Sequence, residues 1–461
     1  MFKPTTYIER RSKLKTSLGS GIILLLGNSE SPMNYLDNTY HFRQDSSFLY
    51  FFGLDHPDLV GLIDIDSDNE IIFGNDLTID DIVWMGVKPT IRKRASHVGI
   101  SQTFPLNKLE AILKEAQQKN RKIHFLPPYR SGNKIKLFEL LGIKLSQSNE
   151  QASIDLVKAV VDQRNYKSDE EIAEIEKAVN VTVDMHLAGM RMAKPGMKES
   201  EIAAAVYEVA LAAGGNISFP IIATIHGETL HNHYHGNTIK SGDLFLLDAG
   251  AENEMHYAGD MSSTFPVDKT FTTQQKEIYN VALAAHEAAI AMLKPGTTNM
   301  DVHLKACLTV AEGMKDLGFM KGNMEEAVHA GAHALFFPCG TGHMMGLDVH
   351  DMEDLGEVWV GYDGEPKSTQ FGLKSLRLGR KLEPGFVLTI EPGVYFIPDL
   401  IDMWRAENKF SEFINWEKVE QYKNFGGCRN EEDFVITETG ARLLGKPLPK
   451  TIEEVEAERK A

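Results

Sequence analysis

Four acidic side chains stand where a carboxylate is costly unless it does chemistry. Asp248 closes the apolar run in SGDLFLLDAG, and Glu391 closes the one in PGFVLTIEPG. Asp260 precedes MSSTFPV, and the fourth acid is Glu431 or Glu432 in GCRNEEDFVIT. An acid at the end of a buried strand loses hydration, which must be balanced by an opposite charge. Four such groups meeting without a cation would repel one another, and some would keep their protons. A pair of divalent cations removes the conflict. One imidazole would complete the set, and GTGHMMGLDVHD offers His343 and His350. Oxygen ligands with a single nitrogen suit Mn²⁺ first, then Co²⁺ or Zn²⁺. A structural zinc site would draw instead on Cys and His. The three cysteines, Cys307, Cys339 and Cys428, show no CxxC spacing, so neither a thiolate site nor a disulfide framework is expected.

The elements that position these acids repeat. VNVTVDMHLAGMRMAKPG begins at Val179, and YNVALAAHEAAIAMLKPG begins at Tyr279. Asn180 and Asn280, His186 and His286, and Met192 and Met292 fall in one register, each segment stopping at Lys-Pro-Gly. The strands echo too: Gly242 lies six residues before Asp248, and Gly385 six before Glu391. A doubled unit would bring both carboxylates to one site about a pseudo-twofold axis.

The 461 residues are too many for one ordinary domain. Residues 1–160 read as an α/β domain: GIILLLG and DLVGLIDID are strands, LNKLEAILKEAQQKN a helix, KIHFLP a short strand. Ser168, followed by three acids, opens the first helix of a second domain placed at 166–450. IEEVEAERKA at the end reads as a charged helix or a frayed end. The 65 acids against 48 basic residues give a net charge of −17. That field repels phosphate backbones and anionic membranes, so neither nucleic acid nor membrane is an expected partner. No apolar segment follows the basic N-terminus, and the expected location is cytoplasmic.

Residues 168–446 resemble the pita-bread metallopeptidases, the family of methionine aminopeptidase, aminopeptidase P and prolidase. The resemblance implies a duplicated α+β catalytic domain with five metal ligands: Asp248 in LLDAGAE, Asp260 in YAGDMSSTFPV, His343 in GTGHMMGLDVHD, Glu391 in TIEPGVY and Glu431 in RNEED. YHFRQDSSFLYFFGLDHPD, residues 40–58, is similar to the aminopeptidase P N-terminal domain, which points to Xaa-Pro bonds. Arg377 in KSLRLGRKLEPG matches a prolidase arginine that grips a dipeptide carboxylate. The expected reaction is removal of the residue before proline from peptide N-termini, with Xaa-Pro dipeptide cleavage as the alternative.

The same resemblance implies a homodimer or larger homo-oligomer and three working groups around a metal-activated water. Glu391 would pass a proton to the proline nitrogen, and His231 and His350 would donate to the tetrahedral oxyanion. In IHGETLHNHYHG, Leu230-His231 fits best and His233 second. One departure stands out: Cys339 occupies a position where relatives carry His. A metal-free binding module on this fold would have lost ligands, and a creatinase-like enzyme lacks the full set. All five ligand types are present here.

Overall fold

The structure, a computed structural model, describes residues 1–461 and divides into two compact units. The first comprises 1–164 and 352–359, the second 165–351 and 360–461. The expected boundary lay between 160 and 166. The return of 352–359 to the first unit has no local sequence signature, because it depends on contacts distant along the chain.

The first unit is built on a five-stranded mixed sheet. Its order is Gln102–Phe104, Asn69–Phe73, Val60–Asp64, Ile22–Leu26 and Ile123–His124. The central pairs are antiparallel and both edge strands add in parallel. Ile22, Leu24, Val60, Leu62, Ile71 and Phe73 share one buried cluster with Leu109 and Leu113 of the helix Leu109–Gln118. The alternate residues of each strand thus face one helix layer, as the period of two requires. Gly61 has to lack a side chain: a Cβ there would sit 2.1 Å from the Phe52 ring.

In the second unit the echo in the sequence becomes a repeat in space. Asp169–Met192 pairs with Glu199–Ala212, and Thr273–Ile290 pairs with Asn299–Asp316. Ser168 and Glu171 form a capping box that starts the first of these helices. Both Lys-Pro-Gly turns need a left-handed glycine, Gly196 at φ 93° and Gly296 at φ 87°. The amides of those glycines donate to the carbonyls of Ile239 and Leu382. Lys198 and Thr298, 100 positions apart, bridge to Thr238 and Lys381. Each of these tethers leads into a matching strand. Leu244–Ala249 pairs with Met261–Pro266, and Val387–Ile390 with Glu432–Ile436.

Of the two alternatives expected for the C-terminal segment, the charged helix is the one that forms. Ile452–Glu458 is a capped helix with Ile452 and Val455 buried. Arg459 is buried and donates to the carbonyls of Pro266, Ala193, Val267 and Met190. Two of those carbonyls lie at the C-terminal end of the helix Asp169–Met192, where acceptors lack intrahelical donors. No helix is long and apolar enough to cross a membrane.

Candidate metal and peptide site

Each acid reaches the site from the end of a strand. Asp248 lies in Leu244–Ala249 opposite Ser262, and Asp260 immediately precedes Met261–Pro266. Glu391 follows Val387–Ile390, and Glu431 precedes Glu432–Ile436. Strand alternation then decides between the neighbouring acids 431 and 432. Glu431 Oε2 accepts from Ser262 Oγ at 2.7 Å, and Asp433 Oδ2 accepts from the Asp260 amide at 3.1 Å. Glu432 points to the other face, to Lys450 and His286. Glu431 and not Glu432 therefore joins the cluster.

Of the two histidines in the glycine-rich loop, His343 reaches the carboxylates. Its Nε2 lies 3.3 Å from Asp260 Oδ2 and 3.6 Å from Glu391 Oε1. Donor atoms of Asp260, His343 and Glu431 all lie within 4.8 Å of one another. His343 Nδ1 donates to the Met344 carbonyl at 3.0 Å. A carbonyl can only accept, so Nδ1 carries the proton of the neutral ring and Nε2 turns a lone pair toward carboxylate oxygens. A lone pair facing anionic oxygens calls for a cation between them. His350 packs edge-on against His343, ring centroids 4.1 Å apart.

The electrostatics point the same way. Burial, reinforced by the neighbouring acids, pushes the carboxyls of Asp260 and Glu431 well above the usual range. Glu391 is raised by burial too, against the pull of His343 and Arg429. Buried Arg429 is the principal counter-charge. Its Nη2 donates to Asp248 Oδ2 at 2.5 Å, Nε to Ser262 Oγ at 2.8 Å, and Nη1 to Tyr395 Oη at 2.8 Å. Four carboxylates around one such guanidinium are under-neutralised, and this donor set fits divalent cations.

A cavity of about 310 Å³ opens onto these groups. Phe219, Pro220, Ile222 and Leu230 give it an apolar wall; His231, His233, His350, Cys339 and Arg377 also line it. Burial lowers the pKa of His231, which also feels the charges of Asp248, Arg429, Arg377 and His350. His235 instead meets the Ile221 carbonyl at 2.9 Å. The Cys339 thiol is pushed up to about 12 by burial and by Glu391, so it is neutral. Arg429, Tyr395, Ser262 and Asp433 were not among the expected site residues. For Arg429 a signal was present, since it opens the RNEED motif itself.

A buried carboxylate–imidazole cluster at the strand ends of a doubled α/β unit defines a metallohydrolase. Residues 173–438 match the metallopeptidase family M24, and residues 7–124 match the aminopeptidase P N-terminal domain. The chain belongs to the M24 metallopeptidases. It is 30% identical over 459 residues to a Homo sapiens protein named Xaa-Pro dipeptidase, covering 97% of this chain and 90% of the human one. It is 31% identical over 465 residues to the Escherichia coli K12 protein named Xaa-Pro aminopeptidase, covering 97% and 96%. Among solved structures, Pseudomonas aeruginosa aminopeptidase PepP superposes with a TM-score of 0.82 at 25% identity, over 100% of this chain and 98% of that one. A substrate complex of Escherichia coli aminopeptidase P gives 0.81 at 27%, over 100% and 98%.

Proposed function

We propose that this chain is a dinuclear metal exopeptidase that removes the residue preceding proline from peptide N-termini. The observation that carries this reading is the buried carboxylate–imidazole set opening onto a small cavity with an apolar wall. Asp248, Asp260, His343, Glu391 and Glu431 would hold two divalent cations, Mn²⁺ before Co²⁺ or Zn²⁺. Such cations, when bound, supply an acidified water and a polarised carbonyl. His231 and His350 donate hydrogen bonds to the oxygen that becomes anionic as the carbonyl turns tetrahedral. Glu391 takes up a proton and delivers it to the proline nitrogen, which leaves as an amine. Phe219, Pro220, Ile222 and Leu230 offer an apolar surface for a pyrrolidine ring. The Escherichia coli relative's name supports the aminopeptidase assignment.

Arg377 favours a second reading, an Xaa-Pro dipeptidase, since it lines the same cavity and the human relative bears that name. Peptide length separates the two. A dipeptide carries a carboxylate just beyond the proline ring, whereas a longer peptide carries an amide there. A bidentate Arg–carboxylate pair contributes about 1.5–3 kcal/mol, or roughly 10- to 150-fold in kcat/KM. With Mn²⁺ supplied, the aminopeptidase reading expects Xaa-Pro tripeptides to be cut at least as well as dipeptides, and Arg377→Ala to change both little. Refusal of tripeptides by the wild type, with a selective loss on dipeptides in Arg377→Ala, would make the chain a dipeptidase.

The same reading includes a cytoplasmic homodimer or larger homo-oligomer. Three free cysteines support the location. The helix Ile79–Met85, with no buried residue and Trp84 88% exposed, supports the assembly, which a sedimentation mass would check.

A further inference from the structure

A buried ion pair behind the site has no part in the chemistry above. Lys167 Nζ donates to Asp351 Oδ2 at 3.0 Å, and each side chain is 2% exposed. Lys167 lies just before the helix Asp169–Met192, and its amide donates to the carbonyl of Gly385 at 2.9 Å. Gly385 lies two residues before the strand Val387–Ile390, which Glu391 follows. Asp351 adjoins His350 and closes the loop that starts at His343. Its amide donates to the Met344 carbonyl at 2.8 Å, the same oxygen that holds His343 Nδ1. Its Oδ1 accepts the Asp348 amide at 3.2 Å. The loop folds tightly over the pair: a Cβ on Gly346 would lie 2.7 Å from Asp351 Oδ2 and 3.0 Å from Lys167 Cε. The Gly346 carbonyl in turn accepts the amide of Ala258, two residues before Asp260.

Desolvating two charges is expensive, and an apolar or neutral pair of similar volume generally serves stability as well. What an ion pair can add, in some proteins, is one fixed geometry. We propose that Lys167 and Asp351 are positioning residues that hold the 343–351 loop in register, and with it the His350 ring over the carboxylate cluster. Lys167 acts as a fixed post, tied through its own amide to the segment leading into the strand that Glu391 follows. Asp351 is the loop's attachment to that post. This inference rests on the reading of His350 as an oxyanion donor.

The test is a set of variants of the full-length, Mn²⁺-supplied enzyme, with melting temperature measured alongside steady-state rates. The neutral, nearly isosteric Lys167→Met/Asp351→Asn variant should keep its melting temperature within a few degrees and KM within about threefold. Its kcat should fall roughly 10- to 100-fold, the scale of a misaligned catalytic group. His350→Ala should lose kcat by itself. Placed in the His350→Ala background, the neutral pair should then cost less than about threefold more, because the ring it positions is gone. An equal loss in both backgrounds, or a wild-type kcat in the neutral-pair variant, overturns the proposal. A silent His350→Ala overturns instead the donor reading on which it rests. Should the neutral pair not fold, Asp351→Glu decides. It keeps both charges but lengthens the arm by one methylene, so kcat should drop several-fold at constant KM. A folded Asp351→Glu variant with wild-type kcat overturns the proposal.

Discussion

Arg429 joins the two halves of the carboxylate cluster. It holds Asp248 from one strand pair, Ser262 from the neighbouring strand and Tyr395 from the other repeat. Asp248 and Glu391 were legible in the sequence because each ends an apolar run, a local pattern. The Arg429–Asp248 contact spans 181 positions, and local pattern carries no information at that range. The histidine loop shows a similar limit. Motif matching ranks His231 above His233, yet both line the cavity. His231 feels the charges of Asp248, Arg429, Arg377 and His350. Loss of one oxyanion donor costs roughly 10²–10³ in kcat. His231→Ala should therefore lose about that factor with bound metal unchanged, and His233→Ala much less. Steady-state rates paired with elemental analysis check this. A silent His231 beside a crippled His233 would reverse the assignment.

At the scale of elements, the repeat was readable because both copies need the same stop signal. Lys-Pro-Gly ends each helix, and the left-handed Gly196 and Gly296 turn the chain toward equivalent bridges. The C-terminal segment was legible as a charged helix but its role was not, because that role lies in what one residue reaches. Composition shows a charged tail, whereas burial of Arg459 against four carbonyls shows a clamp. Its guanidinium also lies 5.5 Å from the Phe265 ring centroid, under the strand that follows Asp260. Truncation would leave buried acceptors unpaired, each costing roughly 1–3 kcal/mol when left without a donor. Arg459→Ala should destabilise the catalytic unit by about 3 kcal/mol, or on the order of 5–10 °C in Tm. Arg459→Lys should recover only part, since one ammonium cannot reach so many divergent acceptors. Calorimetry on both variants is the measurement, and a melting temperature unchanged in Arg459→Ala would mean that the tail does not clamp the catalytic unit.

The molecule as a whole encloses four histidines that burial keeps neutral. Desolvation lowers His186 and His333 to about 4, and His286 and His303 to about 3. An unfolded histidine titrates near 6.5. Below that pH the unfolded chain takes up protons that the folded chain refuses, so stability falls on acidification. Each group adds about 1.4 kcal/mol per pH unit between its two values. Without bound cations, Asp260, Glu391 and Glu431 act with the opposite sign, because burial raises their folded values and their stabilisation is lost as pH rises. A difference between two proteins isolates one histidine from this background. His303 Nε2 donates to the Gly372 carbonyl at 3.3 Å, and Nδ1 accepts from Thr341 Oγ1 at 2.7 Å. The Thr341 carbonyl in turn accepts the amide of Glu391 at 2.7 Å. His303→Gln should cost stability at pH 7, where the neutral ring is well housed. Between pH 6.5 and 4 the gap to wild type should close by roughly 1.4 kcal/mol per unit, because only the wild type still pays for excluding that proton. Denaturation midpoints followed across this range would show the two curves converging. Curves that stay parallel would mean that His303 titrates alike in the folded and unfolded chains and that burial does not hold its ring neutral.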